Sequence, residues 1–174
     1  MRAATTLGDR ILKVDHAGEH GAVGIYRGQI AMARWRAPGD VEQLRGFLAH
    51  ELGHRARFGA LLAARGRPRC RSYHLCGLGG WTLGLLTGLL GHSAIAATTH
   101  AVESVVLAHL REQLAVLDGA DPEAHAAIAA IVDEETEHHD LAREQFSAGD
   151  FWPRVLTPLV RVSTEAVIRL GMRL

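Results

Sequence analysis

The sequence is short of cysteine, lysine and aromatic residues, and it carries no excess charge of either sign. Cys70 and Cys76 are the only cysteines in 174 residues. Their C-x5-C spacing is neither a redox CxxC nor half of a zinc ribbon, so a reducing compartment is expected. Cys70, His74 and Cys76 would make three zinc ligands, but a fourth at finger spacing is missing. Lys+Arg and Asp+Glu number 19 each and cancel, which removes both the basic field of a nucleic-acid binder and the acidic one of a solvating tail. Lys13 is the one lysine beside 18 arginines, a bias that suits a high-GC bacterium. No segment alternates with period two for long enough to argue a strand. The N-terminal MRAATTLGDR lacks an apolar h-region, so no export signal is expected there. No GxGxxG follows a strand, so any redox chemistry would draw its electrons from outside the chain.

What remains is helical. Hydrophobic residues make up 48% of the chain, enough to bury a core in one domain over residues 1–174. Thr6-x-x-Asp9 reads as a capping box opening a helix that runs through Arg36 to the breaker Pro38-Gly39. Asp40 is placed to cap a second helix, with Gln43 at its third position, ending near Ala64 before Gly66 and Pro68. Asp118-Gly119 closes a later helix, and Asp121-Pro122-Glu123 opens one expected to continue to about Phe146. A last helix follows Gly149-Asp150, its start made irregular by Pro153 and Pro158.

Between Arg71 and Glu103 lie 31 residues without a single Asp, Glu, Lys or Arg. That length would span a bilayer. Six glycines, His92 and His100 lower its hydrophobicity, and a break is expected near Gly91-His92. Gly80, Gly84 and Gly88 fall on one helical stripe that permits close helix contact. Arg65, Arg67, Arg69 and Arg71 just upstream suit anionic head groups. Three readings stand: a buried glycine-rich helix, a true span, and the favoured one, a segment over about residues 72–98 that dips into the membrane interface.

Eleven histidines raise the prior for a metal site, and an internal repeat supplies one. At an offset of 84 residues, His16-Ala17-Gly18-Glu19 recurs as His100-Ala101-Val102-Glu103, Arg27-Gly28-Gln29 as Arg111-Glu112-Gln113, and Glu51-Leu52-Gly53-His54 as Glu135-Thr136-Glu137-His138. Each half therefore reads HAxE, RxQ, ExxH, with 32 residues from the lone Glu to the Glu of ExxH. Unbroken helix would hold those two glutamates about 48 Å apart. Each half has a breaker near its middle, so the chain folds back and returns ExxH to the level of the lone Glu. Residues i and i+3 share a helix face, so the Glu and His of each ExxH can bind one ion.

Two such hairpins bring Glu19, Glu51, His54, Glu103, Glu135 and His138 into one bundle core. Four buried carboxylates repel one another unless cations neutralise them, and two divalent ions balance the charge. Each ion would receive one His and one terminal carboxylate, with the remaining carboxylates bridging. Oxygen and imidazole donors without thiolate suit iron or manganese better than structural zinc. This is the ligand inventory of ferritin-like di-metal carboxylate proteins. The expected fold is all-α, a ferritin-like four-helix bundle of two helical hairpins with extra hydrophobic and C-terminal helices.

Around that core, Asp15 and His16 are candidates to orient ligands by hydrogen bonding. His109 is too far round its helix from Glu103 to be a ligand and is read as exposed or facing substrate. Glu134 and Glu137 are read as solvated, His139 as outer or surface, and His50, His74, His92 and His125 as surface or core-edge residues without partners.

Val14-Asp15-His16-Ala17-Gly18-Glu19, Gly21-Ala22, Ile25-Tyr26-x-Gly28-Gln29, Glu51-x-x-His54, Ala101-Val102-Glu103 and Asp133-Glu134-Glu135-x-Glu137-His138-His139-Asp140 resemble the di-iron demethoxyubiquinone hydroxylases of ubiquinone biosynthesis. The resemblance covers nearly the whole chain and places iron ligands on the same six residues. It implies an O2-dependent monooxygenase that uses two iron ions per chain to hydroxylate the ring of a polyprenyl quinone or quinol. NADH is a candidate external reductant. A peripheral location is implied, on the cytoplasmic face of a bacterial inner membrane or on the mitochondrial inner membrane of a eukaryote. An accessory lipid-binding protein and a homo-oligomer are candidate partners; nucleic acid is not. The chain departs from the family at His20, where a tyrosine is common, and at His109-Leu110, where a His-Tyr pair is common. His20 or His109 would have to stand in if that tyrosine moves electrons or protons. The competing reading is a ferritin-like ferroxidase, peroxidase or iron-binding protein without an organic substrate.

Overall fold

The computed structural model describes residues 5–147 and 149–174; the first four residues of the N-terminal segment read above lie outside them. The fold is all-α, as expected, with no strand among the described residues. Helix α1 (Leu7–Arg36) opens at the capping box: the Thr6 side chain accepts from the Asp9 N–H, and the Asp9 carboxylate accepts from the Thr6 N–H, each at 3.1 Å. A 3-10 turn over Pro38–Asp40 reverses the chain into α2 (Val41–Ala64). Helices α3 (Tyr73–Leu90) and α4 (His92–Leu117) are separated at Gly91, whose φ of +94° only glycine adopts without strain. Then follow α5 (Pro122–Ala129), capped by Asp121 accepting from the Ala124 N–H, α6 (Val132–Glu144), and α7 (Phe151–Gly171), which contains Pro158.

Three sequence expectations are corrected. The helix expected from Pro122 to about Phe146 is two helices, interrupted at Ala130–Ile131. No glycine or proline marks that break. Ile131 is fully buried with Leu117 and Ile128, and the restart sets Asp133, Glu134 and Glu135 in the first turn of α6, where the positive end of the helix favours carboxylates. Secondly, the Asp40 side chain makes no capping bond to α2. It accepts from His92 Nδ1 at 2.8 and 2.9 Å instead, tying the α1–α2 turn to the start of α4 and giving His92 the partner the sequence did not suggest. Thirdly, three of the four arginines read as suited to head groups are engaged within the fold, Arg69 lying over the Tyr73 ring at 4.8 Å. Arg65 grips Asp121 with two bonds of 2.7 Å and meets Glu123 at 3.0 Å, while Arg67 lies 2.8 Å from Asp9. Together they clasp the N-termini of α1 and α5 to the end of α2.

Helices α1, α2, α4 and α6 form the bundle. At one end Ile11, Leu12, Phe58, Leu62, Leu117 and Ile128 pack together; at the other Tyr26, Ile30, Leu44, Phe47 and Ile95 do. Residues from the start of α1 meet those from the end of α2, the signature of a hairpin whose arms return to the same level. The polar residues of the repeat lie between these two apolar ends.

The remaining long helices lie outside, α3 against α1 and α7 against α4. The glycine stripe of α3 makes the close helix contact the sequence permits, and its partner is α1. A methyl on Gly80 would run into the Gly21 carbonyl and one on Gly84 into the Ile25 carbonyl. In the other direction, a methyl on Gly28 would stand 2.5 Å from the Trp81 oxygen. The opposite face of α3 leaves Leu75, Leu78, Trp81, Leu86 and Leu89 exposed, and α7 exposes Phe151, Leu159, Val162 and Leu170. No helix among the described residues is long and apolar enough to cross a membrane, which sets aside the spanning reading.

Candidate metal centre

Each bundle helix delivers one part of the cluster: α1 carries Glu19, α2 carries Glu51 and His54, α4 carries Glu103, and α6 carries Glu135 and His138. All six are buried. Their donor atoms form two groups, Glu19–Glu51–His54–Glu135 and Glu51–Glu103–Glu135–His138, and within each group the atoms lie within 4.8 Å of one another. Glu51 and Glu135 belong to both groups, so ions held in the two groups would share them.

Both histidines turn the same nitrogen inward. His54 Nδ1 is 2.9 Å from Glu135 Oε1 and 3.7 Å from Glu19 Oε2; His138 Nδ1 is 3.3 Å from Glu51 Oε1 and 3.7 Å from Glu135 Oε2. Both oxygens of Glu51, Oε2 of Glu135 and the two Nδ1 atoms are buried without a hydrogen-bond partner. Leaving so many polar atoms orphaned in one spot is costly unless something binds them all. Divalent cations would, so the donor set fits a metal site.

In the metal-free chain the carboxylates show that strain in their affinity for protons. Burial, with Glu135 and Glu19 close by, raises Glu51 well above the usual carboxylate range; burial and Glu135 do the same to Glu103. Glu135 is raised by burial. The two histidines diverge. Burial works against charge on His54, but Glu135 and Glu19 beside it lift its pKa to about 10. His138 is pushed down to about 3, by burial first and then by His50 and His54.

The outward nitrogen of His138 accounts for part of that divergence, and the two outward nitrogens identify residues whose roles the sequence reading missed. Glu134 Oε2 meets His54 Nε2 at 2.6 Å, and His50 Nδ1 meets His138 Nε2 at 3.0 Å. Glu134, read as solvated, and His50, read as partnerless, each hold the histidine of the opposite hairpin. The repeat carried the signal, since position 50 maps onto 134 at the same offset of 84, one residue before each ExxH. Tyr26 was also missed as a site residue: its hydroxyl donates to Glu103 Oε1 at 3.1 Å.

The other singled-out residues lie further out. Asp15 accepts from Gln113 Nε2 at 2.9 Å and does not bond a member of the cluster. His16 packs on Tyr73 with its Nδ1 unpartnered, and His20 stacks on the same ring at 4.1 Å while Arg55 donates to its Nδ1 at 3.2 Å. His109 Nε2 lies 2.8 Å from Glu165 on α7. Cys70 and Cys76 are free thiols.

A cavity of about 550 Å³ opens from the cluster. The four carboxylates stand at its inner end, Asp15, His109 and Gln113 lie along its wall, and Leu75 and Leu170 line its outer part. Those two leucines are exposed on α3 and α7, so the cavity joins the polar centre to the apolar outer face.

The family model described as "Ubiquinone biosynthesis protein COQ7" matches residues 6–171. A relative from Rhodospirillum rubrum, named 3-demethoxyubiquinol 3-hydroxylase, is 41% identical over 134 residues, which take in 76% of this chain and 62% of the relative. Relatives from Mus musculus and Homo sapiens, both named NADPH-dependent 3-demethoxyubiquinone 3-hydroxylase, mitochondrial, are 38% and 34% identical over 170 and 171 residues, covering 95% of this chain and 77% of each relative. The chain thus spans less than two thirds of the bacterial relative's length and about three quarters of the mammalian ones.

Proposed function

The chain belongs to the family of the ubiquinone biosynthesis protein COQ7, and from that premise we propose that it hydroxylates the ring of a demethoxyubiquinone-type substrate with O2. The observation that carries this reading is the cavity running from the carboxylate cluster to exposed leucines of α3 and α7. A ferroxidase or iron store needs a path for ions, whereas this path is walled by Val14, Ile25, Val106 and Leu110 and suits a flat ring with an apolar tail.

Glu19, Glu51, His54, Glu103, Glu135 and His138 would hold two iron ions, with Glu51 and Glu135 between them. Bound there, iron supplies the reductive activation of O2 that inserts one oxygen atom into the ring and releases the other as water. The chain does the rest. Glu134 and His50 hold the two imidazoles in the orientation that points Nδ1 inward. Tyr26 fixes one oxygen of Glu103, and the apolar wall keeps water from the reacting ring. A nicotinamide is the reductant class we favour, in keeping with the NADPH-dependent names of the mammalian relatives. The exposed apolar faces of α3 and α7 would lie in the membrane interface, so that a lipid quinone enters the cavity without crossing water.

The test is complementation of a ubiquinone-making host that lacks its own hydroxylase. Expression should restore ubiquinone and clear the demethoxy intermediate, whereas the Glu103→Ala variant should not. Persistence of the intermediate with folded, iron-loaded protein present would end the proposal.

A further inference from the structure

One polar pair on the cavity wall is not part of the metal cluster. Asp15 stands on α1 one turn before Glu19, and Gln113 reaches it from α4. Their bond, Gln113 Nε2 to Asp15 Oδ1 at 2.9 Å, uses one atom of each. The other two, Asp15 Oδ2 and Gln113 Oε1, are buried and have no hydrogen-bond partner. Both residues line the cavity, among Val14, Val106, Leu110 and Ile168. Two orphaned polar atoms on an otherwise apolar wall are the pattern of a site that fixes the orientation of a mostly apolar ligand.

The repeat supplies the contrast. Gln113 corresponds to Gln29, whose Oε1 is likewise unpaired but which is fully buried, donates to Thr87 Oγ1 of α3 at 3.2 Å and does not line the cavity. In the first half a covering helix meets the glutamine; in the second, α7 does not close over it and the cavity does.

The chemistry of the two atoms selects the ligand group. Gln113 Oε1 can only accept. Asp15 Oδ2 accepts when ionised and donates when protonated. A hydroxyl satisfies both atoms when Asp15 is protonated, accepting from Asp15 Oδ2 and donating to Gln113 Oε1; when Asp15 is ionised, it donates to one of the two. A carbonyl or an ether oxygen has no proton to give and leaves Gln113 Oε1 unpaired.

We propose that Asp15 and Gln113 form the subsite for a ring hydroxyl of the substrate and so aim its ring at the carboxylate cluster. This rests on the hydroxylase reading above.

The test is anaerobic binding of two probes to the iron-loaded chain: a short-tailed methoxyhydroquinone and its O-methylated counterpart, which lacks ring hydroxyls. The hydroquinone should bind at least about tenfold more tightly, because the ether leaves a buried acceptor unpaired. Gln113→Leu should erase most of that preference while leaving iron content and the visible spectrum of the centre unchanged, a pattern that a merely structural role would not give. Equal binding of the two probes to the unmodified chain, within twofold, overturns the subsite, and that arm stands even if the variant fails to fold. If the chain hydroxylates the quinol but shows no preference, the subsite fails and the function stands. If it prefers the hydroquinone but never hydroxylates it, the function fails and the subsite stands.

Discussion

The two halves of the repeat carry the same donors in the same register and are finished differently. In the first, α3 lies backbone against backbone on α1, Gln29 is sealed beneath it, and Tyr26 bridges to Glu103 of the other half. In the second, Leu110 stands where the repeat would put the counterpart of Tyr26, Gln113 faces the cavity, and α7 covers α4 more loosely. The symmetric part gathers four carboxylates and two imidazoles into one cluster; the asymmetric part opens that cluster to a cavity on one side. A two-fold sequence therefore yields a one-sided site.

The largest expected effect comes from breaking what the halves share. Glu51→Ala removes an oxygen donor from both groups and should leave no stable metal in either, whereas Glu103→Ala leaves Glu19, Glu51, His54 and Glu135 in place and should retain about one ion per chain. Elemental analysis of the purified variants distinguishes them. Two ions per chain in Glu51→Ala would show that this carboxylate does not bridge.

Acidity should separate the metal-free from the loaded protein. Glu51, Glu103 and Glu135 bind protons more tightly in the folded chain than their ordinary value of 4.5, and Asp15 is raised to about 8, chiefly by burial. The folded state then holds more protons than the unfolded one, so stability falls as pH rises. His54 adds to the fall above 6.5 and up to about 10; His138, depressed to about 3, acts oppositely but only below 6.5. Thermal melts of metal-free protein should drop steadily from pH 6.5 to 9, and iron-loaded protein should keep only the part of that slope owed to Asp15. A metal-free melt that rises over this window contradicts the burial of protonated carboxylates.

The outer partners of the histidines should matter next. Glu134→Ala and His50→Ala should each weaken metal binding by about 10- to 100-fold, as loss of an outer hydrogen bond to a ligating imidazole does. Each should act on one ion, Glu134 on the one nearer His54 and His50 on the one nearer His138. Metal titration by calorimetry reads this directly, and a change at both ions in either variant would erase the distinction between the halves. Smallest is the helix contact. Gly84→Ala gains about 1 kcal/mol of helix propensity but drives a methyl into the Ile25 backbone, which cannot turn aside as a side chain can, so a net loss of about 1–2 kcal/mol is expected. Gly46→Ala, with open space around it, should be neutral or stabilising in the same melts.

Much of this is legible in the sequence. The capping box at Thr6, the Asp118-to-Pro122 punctuation and the break at Gly91 are local signals, set by side chains acting on their own backbone, and the structure keeps them. The six clustered residues were legible because repetition at a fixed offset carries long-range information that composition does not. The interruption at Ala130–Ile131 was not, since it arises from how Ile131 packs under Leu117 rather than from any breaker. His50 and Glu134 were missed because one is an imidazole and the other a carboxylate. The positions repeat, but the residue types do not, and only geometry shows them doing the same work. The same holds for Asp40, whose capping chemistry was plain in the sequence and whose real partner, His92, lies 52 positions away.

The glycine contact between α1 and α3 has a consequence for where this protein can work. Most helix pairs in water are held by the exclusion of solvent from their shared face, a force that vanishes once the surroundings are hydrocarbon. A contact made by close backbone approach depends on dispersion between matched surfaces and persists when lipid replaces water. Helix α3 can thus present Leu78, Trp81 and Leu86 to an oily environment without loosening its hold on the helix that carries Glu19.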